Sequence, residues 1–99
     1  MTDNRIKQIA DYNGMEVILN KLTEECGELS AGVSRYQAQT KLPDECTAAE
    51  RYEEMFEEAA DVQIMLEQLR LQDEELFDYY REQKINRQLE RMGVKNGKV

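Results

Sequence analysis

An all-α fold is predicted for this 99-residue chain by three features of its sequence. Apolar residues recur at steps of three and four through long runs, as on one face of an α-helix. No stretch alternates apolar and polar residues as a half-buried strand would, and neither repeats nor low-complexity segments interrupt the pattern. Helix-ending and helix-starting residues stand between the runs: Asn13-Gly14, Pro43, Thr47 with Glu50, Asp73 and Gly93.

The first helix is expected from about Thr2 to Tyr12, capped by Thr2 or Asp3, with Ile6, Ile9 and Ala10 facing inward. Asn13-Gly14 ends it, since glycine takes the left-handed conformation that closes a helix. The second helix runs from Met15 to about Gln39 on the stripe Met15, Ile18, Leu22, Cys26, Leu29, Val33 and Tyr36. It fades before Pro43, which disfavours helical backbone at Leu42 and turns the chain with Asp44. Thr47 and Glu50, spaced as a capping box, start a third helix that reaches about Leu71. Its stripe of Tyr52, Met55, Phe56, Ala59, Val62, Leu66 and Leu69 is widened by Ala60, Ile64 and Met65. Burial on more than one side is therefore expected between Ala59 and Leu69. Asp73 starts a fourth helix ending at Gly93. One domain over residues 1–93 and a disordered tail over residues 94–99 complete the expectation.

Composition narrows the function. A formal charge of -8 argues against binding a DNA or RNA duplex, for which a basic patch must displace counterions. No run is long enough to span a membrane and the first residues lack a signal-peptide core, so a cytoplasmic protein is expected. Two cysteines make no disulfide framework, and Cys26 reads as a packing residue. The absence of histidine removes Ser-His-Asp and Cys-His catalysis and histidine-rich metal sites.

Acidic pairs carry the remaining signal. Residues three apart on a helix lie about 60° from each other, so Glu25 and Glu28 share a side, as do Glu58 and Asp61. Five acid pairs have this spacing, and most such pairs simply face water. Glu25/Glu28 and Glu58/Asp61 differ in being interleaved with Gly27, Ala59 and Ala60 beside the most apolar part of each helix. Winding from Leu22 puts Glu25 at the edge of the core stripe, Glu28 further round and Glu24 nearly opposite. Antiparallel packing around Pro43 would gather the four carboxylates, which would then need a cation among them. Oxygen-only ligands select Mg²⁺ or Mn²⁺ over zinc. On the fourth helix Lys84, Arg87 and Arg91 fall within an arc of about 60° on the face of Tyr80, opposite Ile85, Leu89 and Met92. Lys84 and Arg87 suit phosphate; Arg91 equally suits the negative end of its helix.

Glu24-Glu25-Cys26-Gly27-Glu28-Leu29, then Glu58-Ala59-Ala60-Asp61-Val62, then Lys84-Ile85-Asn86-Arg87 resemble the successive motifs of the MazG-like all-α nucleoside triphosphate pyrophosphohydrolases. The likeness covers about Ile9 to Met92. It implies a four-helix bundle-like fold and Mg²⁺-dependent hydrolysis of an NTP or dNTP to the monophosphate and pyrophosphate. Glu25, Glu28, Glu58 and Asp61 would be metal ligands, with Glu24 as a further ligand or water-orienting group. Lys84 and Arg87, with Asn86, would hold phosphate oxygens, and Arg91 on the same face is a further phosphate candidate. The resemblance also implies a homodimer or homotetramer and a role in clearing unwanted nucleotides. Phosphoribosyl-ATP hydrolysis and a non-catalytic helical interaction module are the rival expectations. For a base, Tyr12, Asn13 and Glu16 are candidates, each equally able to pack or cap.

Overall fold

The computed structural model describes residues 3–39, 41 and 46–93. Thr2 as an alternative cap, the corner at Leu42-Pro43-Asp44 and the tail over residues 94–99 lie outside the described residues. Within them are three helices and no strand: α1 (Asn4–Gln39), α2 (Ala48–Arg70) and α3 (Glu74–Arg91).

The expected first and second helices are the two arms of α1, which breaks at Gly14 (φ 76°, ψ 164°). This is not the left-handed helical region anticipated for a closing glycine. It is an extended region of positive φ that is essentially reserved for glycine. A Cβ on Gly14 would meet nothing within 4 Å, so the constraint is in the backbone alone. Gly14→Ala should therefore destabilise the chain by about 1–3 kcal/mol without disturbing any packing. Urea unfolding would show this as a lower midpoint at unchanged slope.

The helix starts follow their capping residues. Asp3 Oδ1 accepts from Arg5 N at 2.9 Å and caps α1. Thr47 Oγ1 accepts from Glu50 N at 3.1 Å, and its hydroxyl donates to Glu50 Oε1 at 3.3 Å, opening α2. Asp73 Oδ1 accepts from Leu76 N at 3.0 Å at the start of α3.

The chain divides into two compact units, Met1–Leu69 and Arg70–Val99. In the first, Ile6, Ala10 and Ile18 of α1 and Val62 and Met65 of α2 form the core, with Gln68 fully buried among them. Contacts run in opposite senses along the two helices. Tyr36 packs edge-on to Tyr52 at 5.6 Å between ring centres, Gly32 faces Met55 and Glu58, and Asn13 Nδ2 donates to Gln68 Oε1 at 2.8 Å. Gln39 Nε2 donates to the Cys46 carbonyl, tying the end of α1 to the approach to α2. In the second unit Arg70 grips Asp78 with two parallel hydrogen bonds, Nε to Oδ1 and Nη2 to Oδ2, both 2.8 Å, across the turn into α3.

Several expected core residues are not buried. Ile9, Met15, Cys26, Tyr52, Phe56 and Ile64 are exposed, and α3 buries no residue at all. The cause is the width of the apolar stripes. One neighbouring helix covers only part of a stripe about 100° wide or more, and residues at its margins stay in water. Cys26 is one of these margins, so its role as a packing residue does not hold in this chain.

Candidate functional site

The two helices of the first unit bring three acids to one point. Glu25 on α1 and Glu58 on α2 are half-buried and Asp61 is exposed; one carboxylate oxygen from each lies within 4.8 Å of the others. Among the described residues this is the one such cluster of potential ligands. Glu28, one turn beyond Glu25, is near enough to Glu58 to raise its pKa. Glu24 is exposed on another face of α1, near enough for its charge to act on Glu25.

Small residues set the approach, though not the expected ones. Gly27 has open space where a Cβ would stand and Ala60 is exposed, so neither brings the helices together. Gly32 does. A Cβ built there would lie 3.6 Å from the Met55 Cα and 3.6 Å from Glu58 Cγ. The close approach of α2's backbone at this one buried glycine delivers Glu58 to the side of α1 that carries Glu25 and Glu28. Gly32 falls four residues after Glu28, on the same face, and that spacing was the available signal for it.

The electrostatics show an excess of like charge. Glu25 has its pKa raised, first by desolvation and then by Glu28, Asp61 and Glu24, with Lys21 acting in the opposite direction. For Glu58 the pKa is raised by desolvation, then by Glu28, then by Asp61 and Glu25. Oε2 of Glu25 and Oε2 of Glu58 are both shielded from solvent and have no hydrogen-bond partner. A buried acceptor left without a donor is costly.

A hard divalent cation fits these groups. Octahedral Mg²⁺ holds oxygens at about 2.1 Å, so ligands opposite each other stand about 4.2 Å apart. Neighbouring ligands stand about 3.0 Å apart, so the three oxygens, spread over up to 4.8 Å, would close on an ion by side-chain movements of about an ångström. The donors are all carboxylate oxygens, and two of the three residues also carry an orphaned oxygen.

The other candidates lie apart from this cluster in the chain. Lys84, Arg87 and Arg91 are exposed and Asn86 is half-buried on α3, which belongs to the second unit. Arg91 stands in the last turn of α3, where a positive charge complements the helix end. Of the base candidates, Tyr12 is 91% exposed and Glu16 is exposed, whereas the amide of Asn13 is engaged by Gln68. Asn13 therefore has a structural task, bracing the break at Gly14 against α2. No helix among the described residues is long and apolar enough to cross a membrane. The chain matches no protein family model, no characterised protein and no solved structure at a significant level.

Proposed function

We propose that this chain is a Mg²⁺-dependent nucleoside triphosphate pyrophosphohydrolase of the MazG-like kind, cleaving an NTP or dNTP to the monophosphate and pyrophosphate. One observation carries the reading: acids predicted from separate motifs converge in space, with two oxygens shielded from water and unpaired. An acidic face that merely met solvent would leave its oxygens hydrated.

In this reading Glu25, Glu28, Glu58 and Asp61 hold the metal, which supplies charge neutralisation and a water of lowered pKa. Glu24, whose charge reaches Glu25, would serve as a further ligand or orient the attacking water toward the α-phosphorus. Attack there breaks the anhydride bond between the α- and β-phosphates, so pyrophosphate leaves and the monophosphate gains the new oxygen. Lys84, Asn86, Arg87 and Arg91 hold phosphate oxygens while negative charge redistributes. Mn²⁺ suits the same donors.

The arms of α1 with α2 and α3 would constitute the four helical runs of a MazG-like bundle, assembled as a homodimer or homotetramer in the cytoplasm. Support for assembly comes from the small core and from large apolar side chains left in water, among them Phe56 at 55% exposure. Those same side chains favour the rival reading, a helical module that docks a partner.

Pyrophosphate release from a panel of NTPs, dNTPs and phosphoribosyl-ATP, with Mg²⁺ and with EDTA, decides between them. Mg²⁺-dependent release from simple triphosphates is expected. Release from phosphoribosyl-ATP alone would shift the substrate. Silence on every compound would sink the enzyme reading and leave the docking module.

A further inference from the structure

We infer that Arg35 is a further substrate-contacting residue of this site, its guanidinium donating to oxygen acceptors of the nucleotide beside the carboxylates; the inference rests on the activity proposed above. Arg35 stands two turns after Glu28, and with Glu25, Glu28 and Gly32 it falls within an arc of about 80° on α1. The missing side chain of Gly32 forms a notch between it and Glu58. From the point where a Cβ would stand, Glu58 Cγ is 3.6 Å away and Arg35 Nη2 is 4.0 Å away. Both belong to the first unit, so α1 and α2 alone set how near the guanidinium lies to the acids.

Arg35 is loosely held. Its Nε lies 3.8 Å from Glu54 Oε1, beyond hydrogen-bond length. The Glu54 carboxylate already accepts from Arg51 Nη1 at 3.0 and 3.3 Å. With its side chain 44% exposed, Arg35 keeps a planar fork of donors unspent beside the acid cluster. Such a fork matches paired oxygen acceptors, which phosphates and nucleobase carbonyls both present. When the acids are neutralised by a cation, an anionic substrate can approach the notch, and Arg35 can leave Glu54 by side-chain rotation at little cost, since exposed ion pairs contribute little.

The test uses Arg35→Met and Arg35→Lys in the full chain with Mg²⁺. Steady-state hydrolysis is measured together with calorimetric binding of a non-hydrolysable triphosphate and of Mg²⁺ alone, and with thermal midpoints. For Arg35→Met, KM and the analogue Kd should rise about tenfold, the effect of losing hydrogen bonds to a charged group. kcat, Mg²⁺ affinity and thermal midpoint should stay close to wild type. Arg35→Lys should recover part of the loss, keeping the charge without the fork. Inhibition by inorganic tripolyphosphate locates the contact: an inhibition constant raised by the same factor assigns the donors to the phosphate chain, an unchanged one to the base or sugar. A wild-type chain that hydrolyses triphosphates and binds Mg²⁺, with Arg35→Met matching it in KM and analogue Kd, overturns the role of Arg35 alone. A wild-type chain that does neither overturns the proposed activity and this inference with it.

Discussion

Replacing Glu58 by Gln should reduce kcat/KM for Mg²⁺-dependent pyrophosphate release by at least about a hundredfold, since even second-sphere changes around a metal cost up to about that much. Glu58 is the acid on which the cluster turns. It feels the charge of Glu28, Asp61 and Glu25, offers a carboxylate oxygen within 4.8 Å of one from Glu25 and one from Asp61, and holds one of the two unpaired oxygens. Glutamine has nearly the same shape, so contact with the Gly32 notch survives while one negative charge and one anionic ligand disappear. The variant should also fold at least as well as wild type in EDTA. Its amide can donate to a neighbouring carboxylate where Glu58 could only repel or share a proton. Loss of hydrolysis with retained or raised stability separates a ligand from a packing residue. Full hydrolysis by Glu58→Gln at saturating Mg²⁺ would remove Glu58 from the metal set.

How far this site was legible depended on the range of the interaction involved. The half-burial of Glu25 followed from winding a helix past Leu22, a local geometric fact, and α1 bears it out. The meeting of Glu25 with Glu58 and Asp61 needed an antiparallel pairing between α1 and α2, and the two stripes and the motif order supplied that. The point of close approach did not follow. Gly27 and Gly32 look alike in a sequence, and only the register of α2 against α1 decides that Gly32 is covered and Gly27 open. Cys26 and Met15 belong to the apolar period, yet a period shows which side of a helix is apolar without showing how much of it a neighbour covers. The break at Gly14 was read from Asn13-Gly14, although its backbone is extended where a left-handed close was expected. Arg35 went unnoticed for a different reason. An arginine on a helix ordinarily faces water, and its interest here lies in an ion pair left slack because Arg51 occupies Glu54.

Mg²⁺ should produce the largest stability change. At about a hundred times its Kd a ligand that binds only the folded state adds about 2.7 kcal/mol. For a chain of this size that corresponds to about 10–20 °C in Tm. The effect should depend on pH in a direction the cluster dictates. Glu25 and Glu58 have folded-state pKa values raised above 4.5, so over the window from 4.5 to their raised values the folded chain binds more protons than the unfolded one. Stability in EDTA then falls as pH rises through that window, because protons that relieve the repulsion are lost. At lower pH the sign reverses. Asp3, held down to about 2 by Arg5, and Asp78, held below its usual value by Arg70, are protonated more readily in the unfolded chain, so stability falls again on acidification. The metal-free protein should therefore be most stable near the ordinary carboxylate range, between 3.8 and 4.5, and lose stability on either side of it. A cation among the acids replaces the missing protons, so the Mg²⁺-induced gain in Tm should be small near pH 4.5 and grow toward neutral pH. Thermal melts in EDTA and in excess Mg²⁺ across that range measure it. Coincident melts at neutral pH would mean that the acids repel one another without holding a cation, and the proposed metal site would fail with them.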